Sequence, residues 1–195
     1  ITYSLTHYND IKHARAEIDK SSTRSLPIYS LDTGLIFERN SMVFGRETEQ
    51  TLEPRLFYAY IPYRNQRHMP NFDSSSADLN FAELFTPNKY TGYDRIANTN
   101  QLSAVLTTRY IDSGTGKEWF SATVGQRYYF TDEKVDLYWS NPGKTKNRSD
   151  VLAASQFSLF EGWRLEGAIQ YSTEWSRISK TSAGIRYNPV SYTHL

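Results

Sequence analysis

The sequence predicts an all-β chain: an antiparallel segment of a transmembrane β-barrel, about eight strands of a larger barrel, with long extracellular loops. Three observations carry that expectation. From Thr51 to Tyr63 the even positions Leu52, Pro54, Leu56, Tyr58 and Tyr60 oppose odd positions that begin with Glu53 and Arg55 and turn to Phe57, Ala59 and Ile61. Successive side chains of a strand point to opposite faces, so one face is greasy and the other opens with two charges. Connections between such stretches alternate long and short, apart from the last, near Trp175, which is short, as expected of a barrel with long loops on one side of a membrane and tight turns on the other. The third is tyrosine: 15 Tyr stand beside 10 Phe and 4 Trp, the composition of an interfacial girdle.

Composition narrows the class. The longest purely apolar run is Leu56 to Ile61 and mean hydropathy is -0.63, far short of the ~20 apolar residues of a spanning helix. A helical membrane protein is excluded; a barrel is not, because only every second residue faces lipid. A Tyr-rich soluble β-sandwich or a carbohydrate-binding module shares the composition, but neither segregates loop length by end. With 22 basic and 21 acidic residues the net charge is +1, and no global field recruits nucleic acid. Cysteine is absent, which rules out disulfides and thiolate metal sites within these residues. The 195 residues start at Ile1 with no basic-then-apolar segment, so a leader, if the whole protein has one, is not in view.

Ile1 to His7 alternates Ile1, Tyr3, Leu5 against Thr2, Ser4, Thr6 and reads as the first strand. Asn9 to Pro27 loses alternation and reads as a long loop. Ile28 to Arg39 follows, with Tyr29, Leu31, Leu35 and Phe37 opposite an inner face of Ser30, Asp32, Gly34 and Glu38. A shorter link, Asn40 to Glu49, leads into the Thr51 strand. Arg64 to Thr99 is irregular, with a helical turn expected from Asn80 to Phe85 because Asn80 caps it and Phe81, Leu84 and Phe85 share one side. So greasy a turn has to bury itself, and the loop is expected to fold over the lumen. Gln101 to Tyr110 places Leu102, Ala104, Leu106, Thr108 and Tyr110 against Gln101, Ser103, Thr107 and Arg109. The tight turn Ser113 to Gly116 returns the chain into Glu118 to Phe130. Thr131 to Ser149 is a long polar loop around Asn141-Pro142-Gly143. Val151 to Leu159 turns at Glu161-Gly162 into Trp163 to Thr173, and a brief link near Trp175 reaches Ile178 to Tyr187. Residues 1–187 are thus expected to belong to one outer-membrane barrel domain, with 188–195 an unassigned tail.

Several blocks in order resemble the barrel domain of the LptD family, the lipopolysaccharide-assembly or organic solvent tolerance proteins. They are Leu52 to Tyr58, Ile61 to Gln66, Asn71-Phe72-Asp73, Phe81 to Phe85, Gly92 to Ile96, Asn100 to Ser103 and Gly125 to Phe130, with Ser30 to Leu35 and Phe37-Glu38-Arg39 before them. The resemblance is dense from Pro27 to Phe130 and diffuse beyond. It implies an internal slice of a very large barrel in the Gram-negative outer membrane, without the family's periplasmic domain, most of its strands or its cysteines. It also implies the function: assembly of lipopolysaccharide and its insertion into the outer leaflet, with a plug lipoprotein (LptE-like) inside and a periplasmic bridge protein (LptA-like) delivering cargo. No cofactor is implied, and the mechanism is non-covalent.

Glu53, Arg55, Arg109, Arg127, Arg164 and Glu166 fall on the polar parity and are candidates for a lumen wall that meets substrate phosphates or the plug. The alternative is a solvated interior with cross-strand ion pairs and no substrate contact. Asp94, Arg95, Asn98 and Asn100 lie where the long loop re-enters the barrel and are candidates to pin the loop over the lumen or to form a gate, or for ordinary turn residues bonding their own backbone. Tyr58, Tyr60, Tyr63, Tyr110, Tyr128 and Trp163 are candidates for a girdle at the lipid boundary. His7, His13, His68 and His194 have no metal spacing, and no nucleophile elbow or phosphate-binding glycine loop is present. No catalytic residue is therefore assigned. A general outer-membrane porin and an outer-membrane hydrolase are the competing readings.

Overall fold

The computed structural model describes residues 1–8, 22–137, 147–160 and 162–188, with backbone alone at 159 and 160. Among the described residues eleven strands follow one another: β1 (Thr2–Tyr8), β2 (Ser22–Gly34), β3 (Phe37–Val43), β4 (Arg46–Ile61), β5 (Ser75–Ser76), β6 (Tyr90–Thr91), β7 (Thr99–Asp112), β8 (Glu118–Tyr129), β9 (Val151–Phe160), β10 (Trp163–Ser172) and β11 (Arg177–Tyr187). Among the described residues there is no α-helix; Glu83–Phe85 forms a 3-10 turn. The main sheet runs β1-β2-β4-β7-β8-β9-β10-β11 with β3 also on β4, and β5 pairs β6 alone. Pairings β1–β2, β3–β4, β8–β9, β9–β10 and β10–β11 are antiparallel. The sheet is open, with β1 and β11 at the two ends of its order.

Two of the expected boundaries are corrected. The single strand read from Ile28 to Arg39 is two strands, β2 and β3, which reach back to Ser22 and on to Val43 with a break at Leu35-Ile36. Pro54 explains the break. Proline carries no N–H for the ladder, and the Leu35 N–H donates instead to the Pro54 carbonyl at 3.0 Å. The link read from Asn40 to Glu49 is a hairpin whose turn is Phe44-Gly45, at φ 52 and 75. Two successive positive φ values are what a tight hairpin demands, and the phenylalanine hid the signal. The turn expected at Asn80 to Phe85 is present in shortened form, with the Asn80 Oδ1 accepting the Glu83 N–H at 3.0 Å.

Chain contacts divide the molecule into two compact units. Unit 1 takes its described residues from Ile1–Asp32, Phe57–Ser103 and Arg127–Arg148. In the parts of β7 and β8 within this unit the alternation is inverted relative to a water-soluble sheet, whereas the covered positions at the end of β4 are apolar. Phe57, Ala59 and Ile61 are buried while Tyr58 and Tyr60 are exposed, and Thr99, Gln101, Ser103 and Arg127 are buried while Tyr128 is exposed. The long loop after β4 covers the buried face: the Phe57 and Phe85 rings meet edge-on at 6.2 Å, and the Gln101 amide donates to the Thr86 carbonyl at 3.0 Å. Leu26, Ile61 and Ile96 form one small core and Tyr90, Ala97, Val135 and Leu137 another.

Unit 2 takes its described residues from Thr33–Leu56, Ala104–Gln126 and Ser149–Leu195. The register lays out its faces. Phe120, Phe157, Leu165 and Ile185 form one cross-strand row and Val124, Ala153, Ile169 and Thr181 another, with a row of small residues, Ala122, Ser155, Gly167 and Ala183, between them. The opposite face carries Ser121, Gln156, Glu166 and Gly184 beside Thr123, Ala154, Ala168 and Ser182. Leu52, Leu56, Leu106, Val124 and Ile169 stand open, Leu106 at 41%, an exposed apolar face of the kind that marks a surface meeting protein or membrane.

Gly92 tests how closely the loop is folded on itself. It sits at φ 74, and a Cβ there would lie 2.6 Å from the Asp73 carbonyl oxygen, whereas at Gly116 (φ 68) a Cβ meets nothing within 4 Å. Gly116→Ala is expected to cost only the left-handed backbone penalty, about 1–2 kcal/mol. Gly92→Ala adds a backbone collision, so limited proteolysis of the full-length protein should show the 62–98 segment cut many times faster in that variant alone. Equal cutting of the two variants would contradict the packing described.

Candidate functional site

The chemistry-bearing residues of unit 1 converge on Arg24 and Asp94. Arg24 is buried where β2 passes under the loop. One terminal nitrogen of its guanidinium donates to the Gln66 Oε1 at 2.7 Å and the Asp94 carbonyl at 2.6 Å, the other to the Thr6 hydroxyl at 2.9 Å and to the Tyr93 carbonyl. Gln66 is itself held on both sides, donating to the Ile96 carbonyl at 2.8 Å and accepting the Ile96 N–H at 3.2 Å. Arg95, 2% exposed, donates to the Pro70 and Met69 carbonyls at 2.8 Å each. Planar guanidinium donors suit this work because each has several fixed N–H directions for carbonyls that a folded-back loop leaves unpaired.

Asp94 closes the cluster. Its carboxylate accepts the Tyr8 hydroxyl and the Phe72 and Asp73 N–H groups, the last two at 2.5 and 2.8 Å. Asp73 returns the arrangement by accepting the Tyr93 and Asp94 N–H groups at 3.2 Å. Burial acts to raise the Asp94 pKa, but the bonds from Tyr8, Phe72 and Asp73 outweigh it and hold the group below its ordinary value. Nearby, the Tyr90 hydroxyl donates to Glu133 and the Val135 carbonyl at 2.8 Å, and burial together with Glu133 pushes its pKa up.

The remaining candidates divide. Arg127 donates from its Nε to the Ser103 hydroxyl at 3.2 Å and from a terminal nitrogen to the Thr86 carbonyl at 3.2 Å and the Glu83 carbonyl. It pins the loop rather than waiting for a phosphate. Asn98 joins the 131–137 segment, donating to the Asp132 carbonyl at 2.9 Å and accepting the Lys134 N–H at 2.7 Å, while Asn100 accepts the Tyr58 hydroxyl at 3.0 Å. In unit 2 Arg109 bridges Glu53 at 3.0 Å and Glu118 at 2.8 Å. Glu166 lies 3.5 Å from Arg186, and Arg55 and Arg164 are exposed. Glu166 also borders a furrow of about 500 Å³ with Ser121, Thr123, Gln156 and Ser182. A second furrow, of about 570 Å³, is lined by apolar and small side chains that include Leu106, Val124, Ala153, Gly167 and Ile169.

The sequence of the chain has relatives among known proteins. The family described as "LptD: LPS transport system D" matches residues 2–194. The chain belongs to the LptD family. Among its relatives, the LPS-assembly protein LptD of Paraburkholderia xenovorans is 42% identical over 190 residues, 97% of this chain and 24% of that protein. The LPS-assembly protein LptD of Burkholderia thailandensis is 45% identical over 170 residues, 87% of this chain and 22% of that protein. That of Aromatoleum aromaticum is 41% identical over 194 residues, 96% of this chain and 24% of that protein. The chain spans about a quarter of the length of the curated relatives it matches.

Within this LptD segment the girdle candidates Tyr58, Tyr60, Tyr63, Tyr128 and Trp163 are all exposed, and Trp163 lies 4.6 Å from Tyr187 between ring centres. Tyr110 instead joins an aromatic cluster with Trp119 and Phe120, to which Phe44 and Phe157 are added. Sequence reasoning missed Phe44 and Trp119, because one sits in a turn and the other breaks parity. It also missed Arg24, Gln66 and Tyr8, whose partners are far away in the chain. His7 is on the exposed parity, 2.6 Å from the Thr23 hydroxyl, and His13 and His194 lie outside the described residues.

The depressed Asp94 pKa sets a direction. The stability it contributes is complete above the unfolded carboxyl value and is lost as pH falls through the lower folded value. Hydrogen exchange at the Phe72 and Asp73 amides should therefore stay slow at neutral and mildly acidic pH and rise below the ordinary carboxylate range. Asp94→Ala removes two backbone bonds to a charged acceptor, worth about 1.5 kcal/mol each at least, so exchange at neutral pH should rise roughly a hundredfold. Unchanged exchange in that variant would contradict the role given to Asp94.

Proposed function

We propose that the protein containing this chain assembles lipopolysaccharide and inserts it into the outer leaflet of the Gram-negative outer membrane, with residues 1–187 forming part of its transmembrane barrel wall and 188–195 a tail. The observation that carries the reading is the inverted alternation: Leu106 and Ile169 open, Gln101, Ser103 and Arg127 covered. A strand wall between hydrocarbon and a hydrated interior has this arrangement, since lipid accepts apolar side chains and water or protein pairs the polar ones. The curated relatives are named LPS-assembly proteins, and their greater length accommodates further strands beside β1 and β11.

On this reading Glu53, Arg109, Arg164 and Glu166 line the lumen, and the furrow of Ser121, Thr123, Gln156, Glu166 and Ser182 offers hydroxyl, amide and carboxylate partners to a passing sugar head group. Arg127, Asp94, Arg95 and Asn98 act by holding the loop across the interior. A plug lipoprotein inside the barrel and a periplasmic bridge protein supplying cargo are the partners proposed. Tyr58, Tyr60, Tyr63, Tyr128 and Trp163 anchor the wall at the lipid boundary.

Depletion of the full-length protein in its host tests the function: lipopolysaccharide should disappear from the cell surface, and surface levels that persist through depletion would overturn it. The wall is tested by a neighbouring pair of substitutions. Ile169→Lys puts a charge on the lipid side and should cost about 2–4 kcal/mol in bilayer unfolding titrations if it lies near mid-depth, whereas Gln170→Lys on the opposite parity should be nearly neutral. Equal costs would count against a lipid-facing β10.

A further inference from the structure

The outward parity of β1 and β2 holds a feature that neither the lumen nor the loop explains. A cup of about 520 Å³ lies in unit 1, lined by Tyr3, Thr23, Ser25, Tyr29, Arg64 and Asn65, with Arg24 and Pro27 also contributing. In the β1–β2 register Tyr3 faces Pro27 and Leu5 faces Ser25, so Tyr3, Thr23, Ser25, Pro27 and Tyr29 of the cup share the outward parity of exposed Leu5, while buried Arg24, of the other parity, also contributes to the lining. Its rim comes from Arg64 and Asn65, just past the end of β4 at Ile61. Tyr60, whose ring lies 6.2 Å from that of Tyr29, and Tyr63, which has the Lys134 ammonium 5.8 Å from its ring centre, stand next to them in the chain.

The lining has one chemical sense. It contains two guanidiniums, an amide, hydroxyls and tyrosine rings, and no carboxylate; the Arg24 terminal nitrogens are committed to Gln66, Thr6 and the Tyr93 and Asp94 carbonyls, which leaves Arg64 to meet a ligand. Arg64 is exposed, and among the described residues no acidic group pairs with it. Asn65 commits its Oδ1 to the Arg67 N–H at 3.0 Å, so its amide N–H groups are what it offers a ligand. Convergent donors around a guanidinium select a phosphate, which accepts two parallel N–H bonds from arginine. The flanking tyrosine rings and hydroxyls suit the faces and hydroxyls of a sugar, and a volume of about 520 Å³ is in the range of sites that enclose a small ligand.

We propose that this cup binds the phosphorylated sugar head group of a glycolipid in the outer leaflet, on the outside of the wall. The proposal rests on the membrane reading above, because Arg64 follows the tyrosine-rich end of β4, where an interfacial belt would meet lipid head groups. The site would hold an annular lipid against the wall, separate from the cargo path on the opposite parity.

The test is native mass spectrometry of the full-length protein in detergent micelles, titrated separately with bisphosphorylated lipid A, phosphatidylglycerol and inorganic phosphate. Lipid A should be retained by the native protein and about tenfold less tightly by Arg64→Gln, with Arg64→Lys between them and Arg177→Gln, a control on β11, unchanged. Lipid A binding unaffected by Arg64→Gln would overturn the proposal. So would phosphatidylglycerol held as tightly as lipid A with the same Arg64 dependence, since the sugar then contributes nothing, or inorganic phosphate binding at equal strength. Heat-dependent gel mobility of Arg64→Gln confirms folding independently. If depletion leaves surface lipopolysaccharide intact, the assembly reading fails; if depletion removes it but Arg64→Gln binds lipid A normally, only this site fails.

Discussion

The constraint on which the structure depends is the two-residue period of an extended chain, applied with its polarity reversed. In β4, β7 and β8 the side chains that are covered include Thr51, Gln101, Ser103 and Arg127, while leucines, valines and tyrosines of the other parity stand open. A one-residue slip in any pairing would exchange the two sets, so register and polarity specify each other. Small residues in the β8 to β11 rows leave furrows on both sides of the sheet without disturbing that alternation.

Covering a polar face raises a cost that the long loop meets with arginine. A loop folded against a sheet turns carbonyls away from water, and each left unpaired is expensive. Arg24, Arg95 and Arg127 between them take carbonyls of Tyr93, Asp94, Pro70, Met69, Glu83 and Thr86. Asp94 supplies the matching acceptor for backbone N–H groups and a nearby negative charge. The loop is therefore an internal part of unit 1, fastened at many points, and its buried apolar side chains are Met69, Leu84, Tyr90, Ile96 and Ala97.

Much of this was legible in the chain. Alternation located eight stretches that each overlap a strand, with Ile28 to Arg39 spanning two, and the parity assigned to Leu106, Arg109, Tyr58 and Arg127 agrees with their exposure or their partners. The failures have local causes. Pro54 acts across the ladder on Leu35, a pairing invisible from either segment alone, and Phe44 occupies a positive-φ position where glycine or asparagine would have announced a turn. Arg24 looked like part of a polar loop because Ser22 to Ser25 has no apolar alternation, although β2 begins there. The site was legible only in outline: Asp94 and Arg95 could be named, but their joining with Tyr8, Arg24 and Gln66 depends on contacts between residues distant in sequence.

The reversed polarity is open to direct measurement by spin labels introduced one at a time from Gln101 to Tyr110 in the full-length protein reconstituted in bilayers. Collision with oxygen dissolved in the lipid should rise and fall with period two, high at Leu102, Ala104 and Leu106 and low at Gln101, Ser103 and Val105. A profile with no alternation, or one with its maxima on the odd positions, would contradict the assignment of the open face to hydrocarbon.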